Sequence, residues 1–333
     1  MRCRLFLWNH IRPTTGLSHA SMIKSLRKNE IQPRSYTYPF LSPSGFVELH
    51  STEWGPNESE RTVLCVHGLT RNGRDFDFLA RHLAHQGMRV IAPDLPGRGR
   101  SEWLPSVNDY ATATYLAAMT SLVCRLNVPE VDWVGTSLGG HIGMEFAASL
   151  GAPVRRLVLN DFGARLQGGA LNRLGRYARM AKQFSNMEDL EQHLRTVYRP
   201  FGELTDEQWR HMTEHSAMRN SEGYYRQNFD PAISVDFILW PALIDITLWR
   251  VWEKVQCPVL ILRGETSDLL LTSTVDRMKE RGIAASHGLV ESVEIPNCGH
   301  APALMSLEQV QLVEGFLTRD DMHAAAKQAS AFR

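Results

Sequence analysis

The sequence lacks an apolar run that approaches the roughly 20 residues a membrane-spanning helix needs. Its five cysteines have no paired spacing, so we expect structural thiols in a reducing cytoplasm, not a disulfide framework. Lys and Arg number 36, as do Asp and Glu, so the zero net charge indicates neither a nucleic-acid partner nor a cation sink. What remains, 333 residues of which 43% are apolar, suffices for one large domain with an insertion.

The pentapeptide GTSLG, residues 135–139, is the most informative feature of the chain. It follows the short apolar run Val131–Val134 and precedes a helical pattern over His141–Leu150. A serine flanked by glycines two residues away, where a strand turns into a helix, predicts a nucleophile elbow centred on Ser137. The glycines are needed because the turn strains the backbone and larger side chains would collide with the adjoining strand and helix.

A nucleophilic serine needs a base, and in this arrangement the histidine comes last along the chain, after the acid. His300 lies in a loop between a strand-like run, Gly288–Ile295, and an amphipathic helical pattern from about Ala303 to Leu317. The sequence therefore predicts His300 as the base that accepts the serine proton.

The acid that orients the histidine has three candidates. Asp268, in the loop after the buried strand Val259–Leu262, is our first choice, since a carboxylate there could reach the far imidazole nitrogen. Glu265 on the same loop is a rival. Asp161, which closes the strand Leu157–Asn160, is a second alternative from the end of a different strand.

An oxyanion hole is predicted from two backbone amides, those of Leu69 and Leu138. Leu138 follows the nucleophile, and Leu69 lies in the turn after another buried strand, Thr62–Val66. His67 and Gly68 open the same turn and are candidates for the substrate pocket. A histidine before glycine here is interpreted as a hydrogen-bonding structural residue, not as a second base.

Together these features resemble the α/β-hydrolase fold, in the large group that carries a helical cap. The resemblance spans about Ser44–Leu317 and rests on His67-Gly68 after the third strand, DLPGRGRS (residues 94–101) after the fourth, the elbow, Asp268 and His300. It implies an α/β fold class: a mostly parallel, doubly wound sheet with an inserted all-helical cap. One departure is that Asp268 comes four residues after Gly264, where many relatives place the acid three residues after.

Four segments make up the predicted domain organisation. Residues 1–43 form a basic, poorly ordered N-terminal extension, because the first 34 residues hold seven Lys or Arg and the single acid Glu30. Residues 44–162 and 256–320 form the core, 163–255 the cap, and 321–333 a C-terminal tail. A cytoplasmic location is expected, with an organelle transit peptide as the alternative interpretation of the basic start.

The predicted cap shows helical patterns without clear strands, and it contains four tryptophans that suggest an aromatic roof. Trp209 and Trp249 are the pocket candidates among them. Basic residues and no acid lie in or near the first cap helix, which predicts either a solvated basic face or a surface that steers a carboxylate-bearing substrate. These residues are Arg165, Arg173, Arg176, Arg179 and Lys182.

The predicted function is hydrolysis of a carboxylic ester of a small or medium-sized apolar acid, through an acyl-enzyme on Ser137 and with no metal or organic cofactor. A serine at the elbow argues against the dehalogenase and epoxide-hydrolase relatives, which need a carboxylate nucleophile. Three alternatives stay open: carbon–carbon hydrolysis of a diketone acid from aromatic breakdown, a lactonase or acyltransferase, and a non-catalytic receptor or scaffold. The expected partner is a small-molecule ester, and the oligomeric state is left open.

Overall fold

The structure is a computed structural model that describes residues 31–179, 182–234 and 244–319. The chain divides into two units, residues 1–32 and 33–333, and the fold and the site belong to the second. The predicted extension up to residue 30 and the predicted tail, 321–333, lie outside the described residues. Within the described ranges, none of the helices has the length and apolar character needed to cross a membrane.

An eight-stranded, mostly parallel sheet forms the centre of the fold, as the predicted fold class requires. Its strands are β1 (Arg34–Ser42), β2 (Gly45–Trp54), β3 (Thr62–Val66), β4 (Arg89–Pro93), β5 (Val131–Thr136), β6 (Val154–Asn160), β7 (Val259–Gly264) and β8 (Val290–Ile295). Their spatial order is β1-β2-β4-β3-β5-β6-β7-β8. The β1–β2 and β2–β4 pairs are antiparallel and the others are parallel. Every residue of β3 and β7 is buried, which is typical of strands covered on both faces.

Strand β1 corrects the predicted N-terminal boundary. Residues 34–42 were assigned to a poorly ordered extension, yet they pair with β2 along their whole length. From Thr37 to Ser42 exposed and buried residues alternate, and Tyr38 and Phe40 point into the core. Pro39 is exposed, which suits the edge strand of the sheet in the described part of the chain, because proline has no N–H to donate to a further strand. The alternation is readable in the sequence, but basic composition outweighed it in the prediction.

The helices flank this sheet or lie in the segment between β6 and β7. Their bounds are α1 (Asp77–His85), α2 (Thr112–Leu126), α3 (Leu138–Ala147), α4 (Gly168–Arg179), α5 (Met187–Val197), α6 (Asp206–Ser216), α7 (Trp249–Trp252), α8 (Thr272–Glu280), α9 (Ile283–Ser286) and α10 (Leu307–Thr318). Helix α6 begins with a capping box in which Thr205 and Gln208 satisfy each other's backbone N–H groups.

The segment between β6 and β7 holds α4, α5 and α6, in agreement with the predicted helical insertion. The expectation that it contains no strands is wrong, because two short antiparallel pairs occur there. Arg165–Leu166 pairs with Ile246–Thr247, and Ala217–Arg219 pairs with Tyr225–Gln227. Runs of two or three residues are too short to give a readable alternation.

A separate apolar cluster joins this segment to the loop that leads into α10. Leu190 and Leu194 of α5 pack with Trp209 and Met212 of α6, and Met305 packs against them from the core side. Burial of these side chains fixes the inserted segment over the carboxyl ends of the strands.

Replacing Tyr38 by alanine tests whether β1 is an integral part of the fold. Because Tyr38 is only 1% exposed, we expect the free energy of unfolding to fall by about 3 kcal/mol in urea titrations. Thr37→Ala, on the exposed face of the same strand, is the control and should change it by less than about 0.5 kcal/mol. Equal, small effects of both substitutions would contradict the assignment of β1 to the core.

Candidate active site

Ser137 lies at the turn between β5 and α3 with a backbone φ of 51°, a conformation that few non-glycine residues adopt. A Cβ added to Gly139 would lie 1.9 Å from the carbonyl oxygen of Val66, and one on Gly135 would lie 2.3 Å from that of Gly139. Glycine is therefore required on both sides of the serine. The turn directs the serine side chain to the carboxyl edge of the sheet, at the N-terminus of α3.

His300 connects Ser137 to a buried carboxylate. Its Nε2 is 2.8 Å from Ser137 Oγ, and its Nδ1 is 2.6 Å from Oδ2 of Asp161. With the proton on Nδ1, the imidazole donates to the carboxylate and leaves Nε2 free to accept a proton from the hydroxyl. Both the imidazole and the carboxylate are buried.

The carboxylate of Asp161 accepts three hydrogen bonds. Oδ2 accepts from His300 and from the hydroxyl of Ser267, at 2.6 Å, and Oδ1 accepts from the backbone N–H of Gly264, at 2.9 Å. Asp161 directly follows β6, with a φ of 52°, and its own N–H donates to the carbonyl of Leu262 in β7. A fully buried carboxylate is costly unless such donors surround it, so the loops after β6, β7 and β8 converge on it.

The prediction that Asp268 orients the histidine is wrong in this structure. Asp268 is about half exposed and forms a two-point ion pair with Arg173 of α4. Glu265 is exposed too, and it accepts the N–H of Asn297. Ser267 stands three positions after Gly264, where the family resemblance led us to expect the acid. The residue that contacts His300 is the second alternative, Asp161.

Two cavities meet at Ser137. The first, about 300 Å³, is lined by His300, Thr70 and Tyr198 and by the pocket candidates His67 and Gly68. The second, about 290 Å³, is lined by no Arg, Lys, Asp or Glu side chain, and Leu138, Phe162, Leu166 and Leu171 are on its walls. Leu69 and Leu174 border both cavities. A molecule bound across the junction would have one part in each cavity and its reacting bond at the serine.

A family model described as "Alpha/beta hydrolase family" matches residues 63–311. The chain is 40% identical over 293 residues to the 3-hydroxybutyrate-oligomer hydrolase of Cupriavidus necator, an alignment that covers 86% of this chain and 98% of that protein. The chain belongs to the alpha/beta hydrolase family. Two similar solved structures are a protein from Rickettsia typhi (TM-score 0.77, 32% identity) and an alpha/beta hydrolase from Novosphingobium aromaticivorans (TM-score 0.74, 29% identity). Each match covers 86% of this chain and 98% of the other.

In this hydrolase, a buried arginine that no sequence motif connected with Leu69 holds the turn that carries it. Arg98 Nε donates to the carbonyl of Leu69 at 2.9 Å, and its Nη1 donates to Pro96 O and to the hydroxyl of Tyr115, both at 2.7 Å. These bonds fix the peptide next to the predicted oxyanion amide. Arg98 belongs to the DLPGRGRS segment, but no local pattern shows which carbonyl its side chain reaches.

His67 has the hydrogen bonds expected of a structural residue. Its Nδ1 lies 2.7 Å from the carbonyl of Gly68, and its Nε2 accepts the N–H of Leu95 at 2.9 Å. It thus connects the turn after β3 to the turn after β4. Burial lowers the pKa of His67 to about 4, although nearby Asp94 opposes the shift. The imidazole is therefore neutral at physiological pH, as its role of acceptor requires.

The tryptophan candidates do not line the two cavities. Trp209 lies in the apolar cluster of α5 and α6, and Trp249 contacts the guanidinium groups of Arg277 and Arg281, 4.8 and 5.2 Å from the ring centre. Aromatic residues on the cavity walls come instead from other positions: Phe76, Tyr110, Tyr115, Phe162, Tyr177, Tyr198 and Phe201. Composition predicted an aromatic pocket, but not which rings would face it.

One group among the described residues has metal-ligand chemistry. Donor atoms of Asp77, His211 and His215 lie within 4.8 Å of one another, away from Ser137. The Arg74 guanidinium already occupies both Asp77 oxygens, at 2.8 and 2.6 Å. Because the Arg74 guanidinium already supplies the positive charge at Asp77, we do not assign a metal site to this cluster.

The free energy of unfolding should fall as the pH drops from about 6.5 to about 4. In this range His67 binds a proton in the unfolded chain but stays neutral when buried in the folded protein. This residue alone accounts for about 2 kcal/mol between pH 7 and pH 5. In His67→Gln, whose amide oxygen can still accept from Leu95, the loss measured by urea unfolding should be smaller by that amount. An unchanged pH dependence, or an NMR titration of His67 near 6.5, would contradict this.

Proposed function

We propose that the protein is a serine esterase that hydrolyses short oligoesters of hydroxy acids, of the kind formed by 3-hydroxybutyrate. The supporting observation is the hydrogen-bonded chain from Ser137 through His300 to Asp161, at the junction of two cavities. The relative from Cupriavidus necator bears the name of a 3-hydroxybutyrate-oligomer hydrolase and aligns with nearly its whole length. In this proposal Asp161 replaces Asp268 as the triad acid.

In the first half of the reaction, Ser137 Oγ attacks the ester carbonyl carbon while its proton passes to His300 Nε2. The carbonyl oxygen becomes an oxyanion, which the backbone N–H groups of Leu69 and Leu138 stabilise. Leu138 is the first residue of α3, so its amide also carries the positive end of the helix dipole. The tetrahedral intermediate collapses as the alcohol leaves with the proton from His300.

In the second half, water attacks the acyl-enzyme with His300 again as the base, and the free acid departs. During both halves the imidazole carries a positive charge for a short time. The carboxylate of Asp161, 2.6 Å from Nδ1, stabilises that charge and keeps Nε2 directed at the reacting oxygen. Because Ser267 and Gly264 hold the carboxylate, little reorganisation is needed when the charge develops.

The two cavities suit an ester whose acid and alcohol parts are each a few carbons long. The cavity lined by Leu138 and Phe162, which has no Arg, Lys, Asp or Glu on its walls, would receive the acyl part. The cavity beside Thr70 and Tyr198, whose walls include charged side chains, would receive the alcohol part. Each has a volume near 300 Å³, at the small end of ligand pockets. Short oligomers are therefore expected to be better substrates than long-chain lipids.

Replacing Asp161 by asparagine should lower kcat for 3-hydroxybutyrate dimer hydrolysis by about 10³- to 10⁴-fold, because the amide no longer fixes the tautomer of His300. Glu265→Gln is the matched control, and it should keep wild-type kcat. Ser137→Ala should abolish turnover. Activity is followed by chromatography of the released monomer, with circular dichroism to verify folding.

Retained activity in Asp161→Asn, together with a large loss in Asp268→Asn, would restore the assignment predicted from sequence. No turnover by folded wild-type protein on oligomers or on short aryl esters would contradict the esterase proposal itself. Cleavage of a diketone acid by the same protein would then favour the carbon–carbon hydrolase.

Ser267 is proposed as a positioning residue that acts through Asp161. Ser267→Ala removes one charge-assisted hydrogen bond and should lower kcat by about tenfold with KM unchanged, while Ser267→Thr should restore kcat. Since Ser267 occupies the usual position of the acid, the double variant Asp161→Ser with Ser267→Asp should exceed Asp161→Ser alone by at least about tenfold. Equal kcat values for the wild type and Ser267→Ala would contradict this role.

A further inference from the structure

We propose that Arg173 is a carboxylate-binding subsite beside the catalytic serine, and that Asp268 occupies it as a counter-ion when no substrate is bound. The subsite would select esters whose alcohol part ends in a free carboxylate. This inference rests on the proposed function and specifies which end of an oligoester the enzyme recognises.

The position of Arg173 places a guanidinium at the proposed alcohol side of the site. Arg173 belongs to α4 and lines the same 300 Å³ cavity as Ser137 and His300. The next residue on the helix, Leu174, borders both cavities, so this turn of α4 lies over their junction. The Arg173 side chain is 53% exposed, which leaves its charged end accessible to a ligand.

A second arginine on the same wall, Arg71, is not available in this way. It is 4% exposed, donates two hydrogen bonds to Asp75 and one to Ser216, and lies 4.7 Å from the ring centre of Tyr198. Removing it from these partners would leave a buried ion pair broken, which is strongly unfavourable. Arg71 therefore has a structural role, and Arg173 is the arginine suited to exchange partners.

The ion pair between Arg173 and Asp268 has the geometry that a substrate carboxylate would reproduce. Nη1 and Nη2 of Arg173 each donate to one carboxylate oxygen of Asp268. This is the two-point arrangement that arginine forms with carboxylates. Asp268 is 54% exposed, and exposed pairs of this kind contribute only about 0–1 kcal/mol. A carboxylate tethered by its own bound ester can therefore displace Asp268 at little cost.

The charge around the subsite favours an acidic ligand. Helix α4 contains Arg173, Arg176 and Arg179 and no acidic residue. Burial raises and the Arg173 ion pair lowers the pKa of Asp268, with a net shift below its ordinary value, so the counter-ion stays charged at neutral pH. A positively charged helix at a cavity mouth raises the local concentration of anionic substrates.

The direction of a linear hydroxy-acid oligoester determines how it would lie in the site. Its free carboxylate belongs to the last unit, which is the alcohol part of the last ester bond. Binding of that carboxylate at Arg173 places this last bond at Ser137 and the remaining units in the cavity lined by Leu138 and Phe162. The enzyme would then release monomers from the carboxyl end. A trimer labelled with ¹³C in its carboxyl-terminal unit should therefore give labelled monomer and unlabelled dimer.

The decisive experiment compares 3-hydroxybutyrate dimer with its methyl ester, which lacks the charge. We measure the ratio of kcat/KM for the acid to kcat/KM for the methyl ester in wild type, Arg173→Gln and Arg176→Gln. Arg173→Gln should lower this ratio by about 10- to 100-fold through KM, since a charge-assisted pair is lost. Arg176→Gln removes the same charge from an exposed position on the same helix and is the matched control.

Asp268→Asn should act in the opposite direction and lower KM for the acid by removing the competing carboxylate. If the two arginine variants changed this ratio equally, α4 would act only by attracting anionic substrates through its net charge. That result would contradict a carboxylate-binding subsite at Arg173. Calorimetric binding of the dimer to Ser137→Ala, with and without Arg173→Gln, tests the subsite even without turnover. Hydrolysis of the methyl ester by wild-type protein reports separately on the proposed function.

Discussion

The burial of one carboxylate, that of Asp161, is the constraint on which the active-site region depends. Three donors from two neighbouring parts of the sheet edge surround its negative charge: His300 in the loop after β8, Ser267 in the loop after β7, and the N–H of Gly264, the last residue of β7. Asp161 itself follows β6, which pairs with β5, the strand that leads into Ser137. The parallel order of these strands brings their carboxyl ends to one edge of the sheet. These hydrogen bonds compensate the cost of burying the carboxylate, and the one from His300 also fixes the orientation of the imidazole.

Much of this arrangement could be predicted from the sequence, because it depends on local patterns. Buried apolar runs gave the parallel strands, and GTSLG gave the elbow. The acid could not be settled in the same way. Asp268 and Asp161 both follow buried strands, and the choice depends on which carboxylate meets His300 across the sheet. The serine three residues after Gly264 was the available signal: a hydroxyl there donates to a carboxylate and does not replace it.

Which aromatic residues line the cavities depends on packing between distant segments, and no local sequence pattern shows that packing.

The two acids illustrate how environment divides similar side chains between roles. Asp161 is fully buried and surrounded by donors, which suits a fixed negative charge beside an imidazole. Asp268 is exposed and paired with a single arginine at the cavity mouth, which suits an exchangeable counter-ion. The inserted segment contributes Arg173 and Leu174 over the junction of the cavities, while the sheet provides the reacting groups. Chemistry and substrate choice thus come from different layers of the fold.

The most direct test is a crystal structure of the protein inhibited with a phosphonate analogue of the 3-hydroxybutyrate dimer. We expect phosphorus bonded to Ser137 Oγ and a phosphonyl oxygen hydrogen-bonded to the backbone N–H groups of Leu69 and Leu138. We also expect His300 to keep its hydrogen bond to Asp161. An adduct in which His300 has turned to Asp268, or in which phosphorus is bonded to a residue other than Ser137, would contradict these expectations.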